Sequence, residues 1–302
     1  MNIWIETEAL NTENKNSKSS ETPFWPGTLY GLKRLDQAGH KLGFDTDHFN
    51  ELQHQLLDQE QVPNNRCSRS EADVIVGVQD QQLQLLTTDD EVRAEQPDWI
   101  QLSELICFPH RTAELKRKTG ETDISIKLNL DGTGKSSIST GIPFFDHMLD
   151  QIARHGLVDL DLTCNGDLEV DEHHTIEDVG IALGEAIAQA LGDKRGIQRY
   201  SSVLPMDETK AMVALDLSGR PYLVFNGSFN REYVGDFPTE MVEHFFYSLT
   251  MNLKATLHID VEGKNEHHKI EACFKGFARA LRASITRSER TQNLLPSSKG
   301  VF

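Results

Sequence analysis

The chain has 302 residues, which at roughly 150 residues per domain predicts about two domains. With 30 Lys plus Arg against 47 Asp plus Glu, the formal net charge is -17, which excludes a general nucleic-acid binder, because such a protein needs a basic surface to displace counterions. At 38% hydrophobic and 25% charged the composition is that of a folded globular protein, and no run approaches the ~18–20 apolar residues of a membrane span.

From the start of the chain, Asn2 to Ile5 reads as a strand and the polar run Leu10 to Thr22 as a loop. Thr28 to Ala38, between Pro26-Gly27 and Gly39, has the stop signals of a helix. Leu52 to Leu57 predicts part of a second helix, and Asp73 to Val78 a buried strand. This alternation predicts a small α/β layer domain over residues 1–110. That region holds 19 acidic and 8 basic residues and all three tryptophans, so its composition differs from the rest. Phe108-Pro109-His110 marks the boundary, since Pro interrupts regular structure.

Over 111–302 the pattern is sharper. Asp123 to Leu130 and Leu157 to Cys164 alternate as half-buried strands. Met212 to Leu217, Tyr222 to Phe225 and Ala255 to Val261 also read as strands. Gly141 to His155, Thr175 to Leu191, Met241 to Met251 and His267 to Ile285 read as helices.

The histidines carry the chemical signal. FFDHMLDQI is followed by DEHHTIEDVGIALGEAIAQAL, and MVEHFFYSL by NEHHKIEACFKGFARAL. Each pair has an acid-His helix, a β segment, and an acid-His-His-x-x-Glu run opening a second helix, which points to an internal duplication. Each half is then a sheet backed by two helices, an α+β unit.

Residues i and i+4 share a helix face, so His173 with Glu177, and His267 with Glu271, can offer an imidazole and a carboxylate to one ion. His174 and His268 point roughly 100° away and are expected to face a different ion, for which a subunit boundary is one candidate location. With His147 and His244 there are six histidines and two glutamates, enough for two sites of three His and one Glu. Such donors suit Mn, Fe, Co, Ni or Zn rather than Mg or Ca. His40, His48, His54, His110, His155 and His258 lack the pattern and read as structural or solvated. The four cysteines form no CxxC pair, so a Cys-type zinc site or disulfide framework is not expected and a reducing cytoplasm is the default. The N-terminus has neither a basic n-region nor a long apolar run, so no secretory signal is expected.

Loop cations suggest an anionic ligand near the histidines. They lie in GDKRGIQR (192–199), SGRP (218–221) and the tail LPSSKGVF, while Lys275 falls one turn after Glu271.

Taken with RKTGET, GIPFFDHMLDQIARHG, PMDE, DLSGRP and EHFF, these motifs make residues 112–302 closely resemble the imidazoleglycerol-phosphate dehydratase family. The resemblance implies dehydration of imidazole glycerol phosphate to imidazole acetol phosphate in histidine biosynthesis. It implies two Mn(II) ions per active site, holding the substrate ring as an imidazolate, and a homo-oligomer of 24 subunits with sites at subunit contacts. Carried over, the ligands are His147, His173, His174, Glu177, His244, His267, His268 and Glu271. Arg199, Arg220, Lys275, Ser297 and Lys299 are expected on the phosphate, Glu121 and Gln151 on the glycerol portion, and Asp207 at the pocket. Glu121 would protonate the leaving hydroxyl, with Glu177 or Glu271 as candidates for the carbon-bound proton. No nucleic acid or membrane partner is implied. A non-catalytic metal-storage shell would need no such phosphate clamp.

Residues 1–110 resemble a worn, Rossmann-like phosphatase domain of the haloacid-dehalogenase type, which some relatives fuse to the dehydratase. Glu6 and Glu8 stand where that family has Asp-x-Asp, and Val78 and Gln82 where it has Mg-binding aspartates. A phosphoaspartyl mechanism needs a nucleophilic Asp at a fixed reach, so this domain is expected to be inactive. The alternative is a bifunctional dehydratase and histidinol-phosphate phosphatase.

Overall fold

The structure, a computed structural model, describes residues 1–11, 24–47, 49–64, 66–288, 290–291 and 294–301, with backbone alone for 201–203. The polar run expected over Leu10–Thr22 therefore lies, from Thr12 on, outside the described residues, as does His48. The chain divides into two compact units, Met1–Pro109 and His110–Phe302.

In the first unit, β1 (Asn2–Ile5) leads into a single turn, α1 (Thr7–Leu10), and then α2 (Thr28–Gln37), β2 (Lys41–Phe44), α3 (Glu51–Gln59) and β3 (Val74–Gln79). The unit ends with β4 (Gln82–Leu86), β5 (Val92–Gln96) and α4 (Trp99–Cys107). The sheet order is β2-β1-β3-β4-β5. The first three strands run parallel and the last two add antiparallel. Parallel strands with crossover helices give near-continuous apolar runs, and Ile3, Ile5, Leu42, Phe44, Val74 and Val76 are buried in the unit's own core. Asn50 caps α3 in a reciprocal capping box with Gln53.

The second unit repeats one topology. Its first half is β6 (Thr112–Lys118), β7 (Thr122–Asn129), β8 (Ser136–Ser139), α5 (Pro143–Gly156), β9 (Asp159–Gly166) and α6 (His173–Leu191). The second half is β10 (Tyr200–Met206), β11 (Thr209–Asp216), β12 (Tyr222–Asn226), a small hairpin of β13 (Tyr233–Val234) and β14 (Phe237–Pro238), α7 (Met241–Leu253), β15 (Thr256–Glu262) and α8 (Glu266–Ile285). The sheets are ordered β6-β7-β9-β8 and β10-β11-β15-β12. In both, the short third strand pairs parallel with the fourth, so β6 corresponds to β10, β7 to β11, β8 to β12 and β9 to β15. This is a duplicated α+β fold.

The strands alternate inward and outward side chains, as in β7 with Thr122, Ile124, Ile126 and Leu128 buried. Pro143 starts α5 at its first turn, and Leu157 ends it in the left-handed region, φ 52°. Leu157 was expected to open a strand; the chain turns there and β9 begins at Asp159.

The helices of the two halves meet each other, α6 against α7 and α5 against α8. Close approach of α6 and α7 depends on glycine. A Cβ on Gly184 would lie 2.5 Å from the Leu249 carbonyl oxygen, and one on Gly180 would lie 3.0 Å from that of Phe245. Phe145 meets Phe245 edge-on at 5.4 Å, and Phe245 stacks on Phe274 at 5.0 Å. Burying each of these rings stabilises the fold by about 1.5–3 kcal/mol. One continuous core thus joins both halves.

Candidate metal and phosphate site

The helix pairing sets which histidines meet. His147 on α5 comes together with His267 and Glu271 on α8, and His244 on α7 with His173 and Glu177 on α6. In each group the donor atoms lie within 4.8 Å of one another. Each cluster is therefore built from both halves of the duplication.

The imidazoles present Nε2 to the carboxylates. His267 Nε2 is 3.2 Å from Glu271 Oε2, His173 Nε2 is 3.5 Å from Glu177 Oε2, and His244 Nε2 is 3.5 Å from Glu177 Oε1. His244 Nε2 is buried and has no hydrogen-bond partner among the described residues. An orphaned buried nitrogen is costly, and a cation at the cluster would satisfy it, so the donors fit a metal with imidazole and carboxylate ligands.

Two histidines stand apart. The ring of His174 is turned 74° from that of His173, and the ring of His268 is turned 90° from that of His267. His174 Nδ1 lies 3.1 Å from both Asp167 oxygens, and its Nε2 is 3.6 Å from Glu121 Oε1. His268 Nδ1 is 2.9 Å from Glu208 Oε2. Hydrogen bonding to Asp167 and to Glu208 raises the pKa of His174 and His268 respectively. The bond from His268 likewise pulls Glu208 down to about 2.

The remaining expected residues fall into two sets. Gln151 is buried one turn after His147, with its amide nitrogen 3.4 Å from His147 Nδ1. Lys275 Nζ lies 2.6 Å from Glu271 Oε1. Burial pushes the Glu271 carboxyl up, but the hydrogen bond and charge of Lys275 more than offset this and leave it below its ordinary value.

The second set is the loop cations. Asp216 accepts from Arg199 Nε and from Arg199 Nη2 at 3.0 Å, while Arg199 Nη1 donates to the Pro296 carbonyl at 2.9 Å. Arg220 is 4.0 Å from the same Asp216 and largely exposed. Arg199 thus ties down the tail that carries Ser297 and Lys299, and Lys299 is exposed. Asp207, expected at the pocket, is exposed with φ 47°, and its neighbour Glu208 holds the site histidine.

Three contributors were missed by sequence reasoning: Asp167, Glu208 and Asp216. The Glu-Thr pair of GETD recurs in DETK, a signal that could have singled out Glu208. The equivalent signal for Asp216, an acid beside paired arginine loops, appears only once the fold brings 199 and 216 together.

Two clusters of two His and one Glu on a duplicated α+β frame make a candidate metal site, while Arg199 and the tail it holds lie toward the other end of α8, where the Arg199 amide donates to the Ser284 carbonyl. The family model for imidazoleglycerol-phosphate dehydratase matches residues 140–281. The chain is 54% identical over 192 residues to imidazoleglycerol-phosphate dehydratase of Methylorubrum extorquens, covering 63% of this chain and 98% of the relative. It is also 54% identical over 205 residues to the histidine biosynthesis bifunctional protein HisB of Spirosoma linguale, covering 68% of this chain but 54% of that protein. The chain thus aligns with about half the length of such bifunctional relatives. Among solved structures, imidazoleglycerol-phosphate dehydratase from Staphylococcus aureus superposes with a TM-score of 0.54 at 40% identity, covering 59% of this chain and 99% of that one. The chain belongs to the imidazoleglycerol-phosphate dehydratase family.

Proposed function

We propose that the chain is a hydro-lyase that converts imidazole glycerol phosphate to imidazole acetol phosphate in histidine biosynthesis. The observation that carries this reading is the pair of two-His, one-Glu clusters, each drawn from both halves of the duplication. His147, His267 and Glu271 would hold one Mn(II), and His173, His244 and Glu177 the other. When bound, these ions act as Lewis acids that lower the N–H pKa of the substrate ring and hold it in place.

The chain's own residues do the rest. Glu121, beside His174, gives a proton to the hydroxyl on the carbon next to the ring, and that C–O bond breaks to release water. A carboxylate takes the proton from the neighbouring carbon, leaving an enol that rearranges to the ketone. Glu177 and Glu271 are the candidates for that carboxylate, and Lys275 Nζ lies 2.6 Å from Glu271 Oε1. The phosphate is met by Arg220, Lys275, Ser297 and Lys299, with Arg199 anchoring the tail.

His174 and His268 point away from the clusters of their own chain. This supports an assembly of identical subunits, a 24-mer in our reading, in which each cluster is completed by an imidazole from a neighbouring copy. The decisive test is an assay of imidazole acetol phosphate formation by chelated protein with and without added Mn(II). Turnover restored by Mn(II) is expected, and no turnover after reloading would overturn the proposal.

We infer that the first unit does not act as a phosphatase. Its Glu6 carboxylate is engaged by Arg69 at 2.9 Å, with Asp90 also on Arg69 at 3.2 Å. A nucleophile in that position must be free to attack phosphorus.

A further inference from the structure

The duplication places Glu121 and Glu208 at equivalent points. Glu121 lies in the turn between β6 and β7, one residue before Thr122, which pairs with Gly166 at the end of β9. Glu208 lies in the turn between β10 and β11, one residue before Thr209. Lys210 pairs with Glu262 on β15, so the antiparallel register carries Thr209 opposite Gly263. Asp167, the residue after Gly166, therefore has Lys264 as its counterpart.

The two equivalent glutamates are held differently. The Glu208 carboxylate is fully tethered: Oε2 faces His268 Nδ1, while Oε1 accepts from the Asn265 amide at 3.0 Å and from Thr209 Oγ1 at 3.2 Å. The Glu121 carboxylate makes no hydrogen bond among the described residues and is half-exposed. His174 takes its Nδ1 partner from Asp167 instead. Lys264, at the matching place in the second half, has only donors and could not accept from His268.

An ionised carboxylate only accepts, so the Nδ1 facing it carries the proton and the lone pair is left on Nε2. A histidine held in this way has its ring orientation and its coordinating nitrogen chosen in advance. We propose that Asp167 and Glu208 are the positioning residues of His174 and His268, presenting Nε2 of each to a metal, and that Asp167 relieves Glu121 of the task its counterpart performs. The two halves then differ in a defined way: Glu208 serves the metal, and Glu121 is left for the substrate. This rests on the metal-dependent reading above.

The test is a Mn(II) binding isotherm, with the electron paramagnetic resonance spectrum of the bound ion, on the chelated full-length protein. Variants are Asp167→Asn, Asp167→Ala, Glu208→Gln, Glu208→Ala and Glu121→Gln, with thermal melting and assembly size recorded for each. Glu208→Gln keeps the shape and the contacts to Asn265 and Thr209 should the alanine variant fail to fold. Asp167→Ala and Glu208→Ala are expected to weaken Mn(II) binding by about 10–100-fold and to change the spectrum. Asn and Gln should recover part of the loss. Glu121→Gln should bind Mn(II) like the parent while losing turnover. Folded Asp167 and Glu208 variants that bind as tightly as the parent would overturn this inference and leave the dehydratase reading standing. A parent that binds no Mn(II) would overturn both.

Discussion

His244, from the second half of the duplication, lies with its ring centroid 4.7 Å from that of His173, from the first. The distance is set by how closely α7 approaches α6, and that approach is set by Gly180 and Gly184. Gly184→Ala would ordinarily help a helix by up to about 1 kcal/mol. Here the new Cβ meets the Leu249 carbonyl oxygen at 2.5 Å, and backbone cannot swing aside. The variant is expected to lose about 1–3 kcal/mol and to bind less metal at the His173–His244 cluster. Calorimetric melting and a Mn(II) titration check both parts; a more stable variant would refute the packing account.

Removing an imidazole should separate the site histidines from the rest. His174→Ala is expected to abolish turnover and to weaken metal retention by more than the ~10–100-fold typical of losing an outer partner. His258→Ala, on the exposed face of β15, should leave both unchanged. Full activity in the His174 variant would refute its assignment.

Acid should reveal a structural clasp. Asp131 accepts from Arg111 Nη2 at 2.6 Å and from Arg287 Nη2 at 3.1 Å, while Arg111 also donates to the Ile285 carbonyl. Burial pushes the Asp131 pKa up, but hydrogen bonds and charge from Arg111, with the charge of Arg287, bring it below 3.8. A depressed carboxylate pKa stabilises the fold above the unfolded-state value and loses that contribution as pH falls through the folded-state value. Asp131→Asn should therefore cost about 2–4 kcal/mol near neutrality. The gap in melting temperature between parent and variant should shrink below about pH 4. An equal gap across this range would show that the charge on Asp131 contributes nothing.

The first unit gives a different kind of test. Purified protein supplied with histidinol phosphate and Mg(II) is expected to release no phosphate above background. Arg69→Ala should not restore it, because Glu6 is a methylene longer than the aspartate such chemistry uses. Robust Mg-dependent turnover by either protein would refute the inference.

Much of this was legible in the chain. The repeated His-His-x-x-Glu run located the duplication, and helical spacing alone put His173 with Glu177 and His267 with Glu271. Both signature helices were expected to begin later than they do: α6 starts at His173, so both imidazoles of the pair sit on the helix itself. Three strands of the second unit that escaped notice have weak alternation. β6 is rich in charge, β8 is three serines around one isoleucine, and β10 contains Pro205, tolerated because β10 is an edge strand. Helix α4, capped by the Asp98 side chain, carried a usable start signal that was passed over. Which half supplied the partner of each cluster could not be read from spacing, because it depends on α6 meeting α7 and α5 meeting α8 across the core.

That crossed arrangement has a consequence for the origin of the chain. A single sheet-and-two-helix unit contains its His-x-x-x-Glu pair and its lone helix histidine, yet cannot bring the two together by itself. Only a second unit, facing it in reverse, closes either cluster. Two unlinked copies would need to associate as a two-fold dimer to gain the same donors, and tethering them replaces that encounter with an intramolecular one at high effective concentration. Separately produced fragments cut between α6 and β10 should each be metal-free and regain metal only when mixed.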